Sequence, residues 1–395
     1  MVINIHRGQN QIGGSIIEIS DDKTRLFFDI GVNLDESENK TIPQIEGLFC
    51  GEQNCDGVFI SHYHADHIGL ADKLLPKTPI FIGEKAYNIM KSAADYRNKI
   101  LGFTPQFIYH KEKIKIGNFT ITAYLCDHSA FDSYMFIIEN DGKKVLYTGD
   151  FRANGRLDFD NLLYELPEVD AIIIEGTTLS REDAKENIQE EKLETIAIDY
   201  IRNKKGPIFV MMSAQNIDRL VTMQNVADKT NRTFLQDIYT AEIARSVGKL
   251  SEKARVFLTK GGNIQYQKLI CFNEQKIGKH AISQIPFIMC IRQSMRNYLE
   301  TLHKIISFDD GVLFYGMWKG YMEQPEMKEF LDFMTSKGVK IHTLHTSGHA
   351  DVHTIDKLIN DTKPKMIIPV HTENSEWFEK YSKVAIISNK KSLQL

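Results

Sequence analysis

Four metal-ligating side chains, His62, His64, Asp66 and His67, fall within six positions directly after the apolar segment Val58-Phe59-Ile60. Residues two apart in extended backbone share a face, so His62 and His64 are able to reach one metal ion. The chain then turns, and Asp66 and His67 point from that turn toward a neighbouring position. Asp66 stands where an N-cap would open an apolar-periodic helix over residues 66–75. Scattered surface histidines beside an ordinary capping aspartate would not crowd in this way. The chain therefore has to bring a strand end, a turn and a helix start to one place.

The neighbouring sequence is rich in short strands. Ser15–Ser20 and Arg25–Ile30 are β-rich runs bounded by Gly13-Gly14 and Asp21-Asp22, and further runs occur at 79–82, 119–126, 135–139, 144–148 and 171–175. Many strands precede any long helix, so this part reads as sheets with helices laid outside, an α/β sandwich. From about residue 181 helix and strand alternate: Arg181–Arg202 is charged and helical, Pro207–Met212 is a buried strand, Ile217–Lys229 is helical and Val256–Leu258 is a short strand. That alternation predicts a smaller parallel-sheet unit. Helices at Ser294–Ile306 and Pro325–Lys337 follow, then strands at Lys340–Leu344 and Met366–Val370 on either side of a helix near Val352–Asp361.

At 395 residues, two or three domains are expected, and 42% hydrophobic with 25% charged residues is ordinary for a globular protein. No apolar run approaches the roughly 18–20 residues that span a bilayer. The first residues have neither a basic region nor an apolar run of the kind a signal peptide carries. Five cysteines form no framework, and Cys50 with Cys55 would be half of a zinc clip lacking its second pair. A reducing, cytoplasmic location is expected. The net charge of −4 hides an asymmetry: residues 195–333 carry 19 basic against 14 acidic side chains, and the remainder 29 against 38. A basic segment on an acidic body favours an anionic ligand near that segment.

The pattern His-x-His-x-Asp-His resembles the signature of the metallo-β-lactamase fold. That fold calls for one His and one Asp further on, each at a strand end. His128 in Cys126-Asp127-His128-Ser129 and Asp150 in Thr148-Gly149-Asp150 stand at such places, and His371 follows the last strand in Pro369-Val370-His371-Thr372-Glu373. The resemblance implies that His62, His64 and His128 hold one metal, that Asp66, His67 and His371 hold a second, and that Asp150 bridges the two. Nitrogen and oxygen ligands admit Zn, Mn, Fe or Co; His64 argues for a hydrolytic site with two Zn²⁺ ions, Mn²⁺ being the alternative.

Shorter motifs narrow the resemblance to the β-CASP nucleases, similar to ribonuclease J and to the endonuclease of the cleavage and polyadenylation machinery. They are Ile172-Ile173-Ile174-Glu175-Gly176-Thr177-Thr178, His345-Thr346-Ser347-Gly348-His349-Ala350, the His371 element, Ser213-Ala214-Gln215-Asn216 with Arg219, and Tyr315-Gly316-Met317-Trp318-Lys319-Gly320-Tyr321. The implied architecture is α/β: a metallo-β-lactamase αββα sandwich over residues 1–194 and 334–395, with an inserted smaller α/β (β-CASP) domain over 195–333. Gly176 stands where such nucleases carry a serine.

The resemblance also implies roles. Two ions roughly 3.5–4 Å apart share and activate a water, which suits phosphodiester hydrolysis. Asp66, Glu175 and His349 are the implied catalytic residues, His349 as proton donor to the leaving oxygen with Glu175 orienting it. His345 and Ser347 are implied contacts to a substrate phosphate. The expected substrate is RNA or single-stranded DNA, with a possible homodimer and no membrane partner. An ester, thioester or lactone hydrolase of the same fold is the alternative, and a binding protein without turnover a third reading. Lys111, Lys113 and Lys115, alternating on one strand, and Arg292 with Arg296, sharing a helix face, are expected to be solvated surface.

Overall fold

Short, β-branched and aromatic segments separated by tight turns build most of the chain, and their apolar faces decide how they stack. The computed structural model describes residues 1–34, 41–181, 186–381, 385–386 and 392–395. The chain divides into two units, Met1–Asn187 with Gly348–Leu395, and Ile188–Ser347.

The first unit holds two seven-stranded sheets. In one, Val2–Arg7 pairs antiparallel with Ser392–Gln394 and with Ile16–Ser20, which pairs antiparallel with Arg25–Phe28; Gly57–Phe59, Ile80–Gly83 and Pro105–Ile108 then continue in parallel. In the other, Lys113–Ile116, Phe119–Cys126, Ser133–Asn140 and Lys143–Tyr147 form an antiparallel meander, and Ala171–Ile174, Met366–Pro369 and Ala385–Ile386 add in parallel. Phe28, Phe59, Phe136 and Tyr147 fill the space between the sheets, with Phe59 stacked on Phe81 at 4.5 Å. Helices Phe159–Glu165 and Val352–Thr362 cover the outer face of the second sheet through Leu162, Leu163, Ile355 and Leu358. Helix Glu84–Tyr96 buries Ala86, Ile89 and Ala93 beside the first sheet. The result is the expected four-layer α/β sandwich.

The second unit is a six-stranded, wholly parallel sheet in the order Arg255–Phe257, Thr233–Asp237, Phe287–Ile291, Ile208–Met211, Val312–Tyr315, Lys340–Thr343. Arg219 is fully buried here. Its guanidinium binds Glu190 (2.5 and 3.2 Å) and the Leu344 carbonyl (2.8 Å).

Several expectations from sequence need correction. The inserted unit is wider than 195–333, because Lys340–Thr343 is the polar edge strand of its sheet and Glu190 opens its first helix, Glu190–Ile201. A 13-residue helix, Glu84–Tyr96, does precede the strands at 119–174; its weakly apolar face hid it. Residues 182–185 of the expected helix 181–202 lie outside the described residues. Lys111 is not on a strand but at φ +63°, bonded to Glu165 at 2.8 Å. Arg292 precedes the helix Arg296–His303 and binds Asp237, so the two arginines do not share a helix face. Among the described residues no helix is long and apolar enough to cross a membrane.

Candidate metal centre

The strands Phe119–Cys126, Lys143–Tyr147, Ala171–Ile174 and Met366–Pro369 run in one direction, and the residues just past their carboxyl ends are Asp127-His128, Asp150, Glu175 and His371. Past Gly57–Phe59, the chain turns through Ser61-His62-Tyr63-His64 into the short helix Ala65–Ile68. Backbone bonds seat that helix: Ser15 N donates to Asp66 O (3.1 Å), Ile30 N to His67 O (2.7 Å) and Val32 N to Ala65 O (3.0 Å). Gly31 is required there, since a Cβ would fall 1.6 Å from the Asp66 carbonyl oxygen. His64, not Asp66, holds the N-cap position, and the helix ends at Ile68 rather than running to 75. Asp66 sits in the first turn with its carboxylate free to face across the site.

These elements gather two groups of imidazoles about one carboxylate. His62 Nε2 lies 3.1 Å from His64 Nδ1, and His128 Nε2 lies 3.3 Å from the same atom. On the other side, Asp66 Oδ2 is 3.1 Å from His371 Nε2 and 3.8 Å from His67 Nε2. Asp150 reaches both: its Oδ2 is 3.2 Å from His67 Nε2, 3.8 Å from His62 Nε2 and 4.0 Å from His128 Nε2, and its Oδ1 is 3.7 Å from His371 Nδ1. His349 Nδ1 stands 3.2 Å from Glu175 Oε2 and 3.5 Å from Asp150 Oδ2. His345 and Ser347 belong to the inserted unit, where His345 Nδ1 donates to the Gly316 carbonyl at 3.1 Å.

The electrostatics divide in the same way. Burial, aided by the neighbouring histidines, pushes His62 and His128 well below the usual histidine range, and burial takes His64 down to about 4. Burial thus favours the neutral form of these three rings, which carries a lone pair. Burial also disfavours a charge on His67, yet Asp150, Asp29 and Asp66 around it hold it well above the ordinary value. Asp66 and Asp150 are both held low against their own burial by the imidazoles facing them. Positive charge is therefore favoured between Asp66, His67 and Asp150.

The donor set fits divalent metal ions. Among the described residues neither His67 Nε2, for all its 3.2 Å approach to Asp150 Oδ2, nor Asp150 Oδ1 makes a hydrogen bond, which is costly for buried atoms unless something else binds them. Each trio His62–His64–His128, His62–His67–Asp150 and Asp66–His67–His371 offers ligand atoms within 4.8 Å of one another.

Supporting residues emerge that the motif reading did not single out. Asp29, at φ +57° past the end of Arg25–Phe28, accepts from His67 Nδ1 (2.7 Å), Ser61 N (2.7 Å), Ser61 Oγ (2.7 Å) and Tyr147 OH (2.6 Å). A carboxylate behind a ligating histidine fixes its ring and tautomer. Asp127 accepts from Arg152 Nε (2.5 Å), Arg156 N (2.7 Å) and Leu157 N (2.9 Å), which ties the loop of His128 to that of Asp150. Glu175 holds not only His349 but also Phe151 N (2.9 Å), the residue after Asp150. An acidic residue directly after an apolar strand is the only signal of Asp29 in sequence, and ordinary turns give the same signal. At Gly176, where the resemblance expects serine, a Cβ would stand 2.9 Å from Thr372 Oγ1, which donates to the Gly176 carbonyl instead.

Residues 32–197 match the family model described as a beta-lactamase superfamily domain, and residues 324–386 match that of the Zn-dependent metallo-hydrolase RNA specificity domain. Over 91% of its length the chain is 22% identical to ribonuclease J 2 of Staphylococcus epidermidis, and over 93% it is 23% identical to ribonuclease J of Helicobacter pylori. These matches support a ribonuclease J-like β-CASP family of the metallo-β-lactamase fold. An RNase J-like protein of Methanocaldococcus jannaschii is 26% identical over 55% of the chain. The chain spans 66% of the staphylococcal relative and 55% of the Helicobacter one. Among solved structures, a protein of unknown function from Enterococcus faecalis superposes with a TM-score of 0.81, at 19% identity, covering 100% of this chain and 99% of that one. The His/Asp cluster is of the kind that binds divalent metal.

Proposed function

We propose that the protein is a dinuclear metal-dependent phosphodiesterase that hydrolyses RNA, with Ile188–Ser347 as its β-CASP unit. The observation that carries this reading is the juxtaposition of Asp150, shared by two imidazole groups, with the His349–Glu175 pair. The relatives named as ribonucleases and the RNA specificity match support RNA over other phosphodiesters.

His62, His64 and His128 would hold one divalent ion, Zn²⁺ in the first instance, and Asp66, His67 and His371 a second, with Asp150 reaching both. Bound there, the ions supply an activated water at neutral pH and positive charge for the phosphate oxygens. The chain's own part is proton delivery. Burial opposes a charge on His349, but Glu175 and Asp150 raise its pKa above the usual histidine value, so it holds a proton on the Glu175 side. As an imidazolium it keeps Nδ1–H on Glu175, which holds the ring in place, and gives the proton of Nε2 to the leaving alkoxide oxygen, ending as the neutral ring. His345, whose Nδ1 donates to the Gly316 carbonyl, and Ser347 would serve as contacts to a substrate phosphate.

The test is hydrolysis of 5′-labelled and 3′-labelled RNA and single-stranded DNA oligonucleotides, with metal and with chelator. RNA cleavage that chelation stops is the expected result. Turnover of a lactone or thioester with none of RNA would overturn the proposal.

A further inference from the structure

Glu175 is followed by two threonines, Thr177 and Thr178, that the chemistry above leaves without a task. Thr177 is 2% exposed, and its Oγ1 lies 2.6 Å from Glu175 Oε2 and 2.7 Å from His371 Nδ1. A carboxylate only accepts, so the Thr177 hydroxyl donates to Glu175 and its oxygen accepts Nδ1–H of His371. This order places the proton of a neutral His371 on Nδ1. The lone pair is then on Nε2, the atom 3.1 Å from Asp66 Oδ2. Backbone N–H of Thr177 also donates to Glu175 Oε2 at 3.2 Å, the oxygen that faces His349 Nδ1. Thr178 adds a bond from its Oγ1 to the Ala350 carbonyl, 2.6 Å away and one residue past His349. His371 itself sits at φ +49°, a left-handed conformation uncommon for non-glycine residues.

We infer that Thr177 is a positioning residue that holds His371 in the Nε2-ligating tautomer and couples the Asp66–His67–His371 metal position to the Glu175–His349 proton donor. The inference rests on the dinuclear reading above and deepens it. One hydroxyl serves two partners: it accepts from the ring that would complete the second ion's ligands, and it donates to the carboxylate that aims His349. Replacing it with a methyl group takes this acceptor from His371 Nδ1–H and one donor from Glu175, without changing the volume much.

The experiment is metal stoichiometry and competitive chelator titration on Thr177→Val, Thr177→Ser and wild type, with kcat and KM on an RNA oligonucleotide as a second readout. Val keeps the shape without the oxygen, and Ser keeps the oxygen without the methyl. In Thr177→Val, affinity for one of the two ions should fall about 10–100-fold with the other unchanged, and kcat should fall while KM holds. Thr177→Ser should restore both. If Thr177→Val does not fold, Thr177→Ala set against Thr177→Ser decides the same point. Two ions bound with wild-type affinity by folded Thr177→Val would overturn this inference alone, as would a Ser variant as defective as Val. Fewer than two equivalents in the wild type would overturn the dinuclear reading, and this inference with it.

Discussion

Asp29 Oδ2 lies 2.7 Å from Nδ1 of His67, on the side of the ring opposite the Nε2 that stands 3.2 Å from Asp150. The sandwich core reaches the candidate metal centre through this residue, since Tyr147, packed against Phe28, donates to the same oxygen. Asp29 Oδ2 takes three donors and Oδ1 takes Ser61 N, so the NH2 of Asp29→Asn must face at least one donor, which loses its acceptor. Metal affinity should drop about 10–100-fold, with about 1–3 kcal/mol of stability. Metal titration and urea unfolding check both. Tyr147→Phe removes only one donor and should leave metal affinity nearly unchanged.

His349→Ala should remove most hydrolysis while leaving metal content as in the wild type, whereas Asp66→Ala or His67→Ala should lose both turnover and about one metal equivalent. The contrast follows from the side chains: His349 Nδ1 faces Glu175, while Asp66 and His67 face His371 and Asp150. Elemental analysis alongside an RNA cleavage assay separates the two classes. Glu175→Gln will not be a mild version of His349→Ala. Its carboxylate accepts from Phe151 N, Thr177 N, Thr177 Oγ1 and His349, so an amide there also disturbs the Asp150 loop, with about 1–3 kcal/mol of stability lost.

What the sequence made legible is the part of the site whose residues crowd together or end an apolar run. His62 to His67 are adjacent in the chain, and Asp150 and His371 each follow a strand whose apolar residues mark its end. Asp29 and Thr177 were not legible because each does its work by a hydrogen bond to a residue 38 or 194 positions away. Lys340–Thr343 was assigned to the wrong unit for a related reason. Its strand character is local, but its partner Val312–Tyr315 is settled only by folding.

Glu18 gives a pH dependence away from the site. Burial works against its charge, but His6 and a bidentate Arg25, with both contacts at 2.9 Å, bring its pKa down to about 2 from 4.5. A carboxylate lowered on folding stabilises above its unfolded pKa and loses that contribution as pH falls through the folded one. Wild type should exceed Glu18→Gln by about 1–3 kcal/mol at pH 7, and the gap should shrink from about pH 4.5 and close near pH 2. Urea unfolding of the two proteins across that range is the measurement; a constant gap would contradict the assignment.

The buried pair Arg219–Glu190 sets the last expectation. Both side chains are shielded from water, and Thr222 Oγ1 adds a third contact to Glu190 at 3.1 Å. Arg219 also binds the Leu344 carbonyl at 2.8 Å and the Gly316 carbonyl at 3.4 Å, and Gly316 in turn accepts from His345. Removing one partner strands the other's charge in the interior, which costs about 3–5 kcal/mol, whereas replacing both with apolar groups of similar volume is often near neutral. Arg219→Met should therefore destabilise the inserted unit strongly, and Arg219→Met with Glu190→Met should recover most of the loss. The double variant separates stability from substrate contact. It refolds the core but leaves the Gly316 and Leu344 carbonyls without their guanidinium, so the segment presenting His345 loses an anchor. Its RNA affinity should stay below wild type even where its melting temperature has recovered. Full recovery of both would mean that Arg219 serves the core alone.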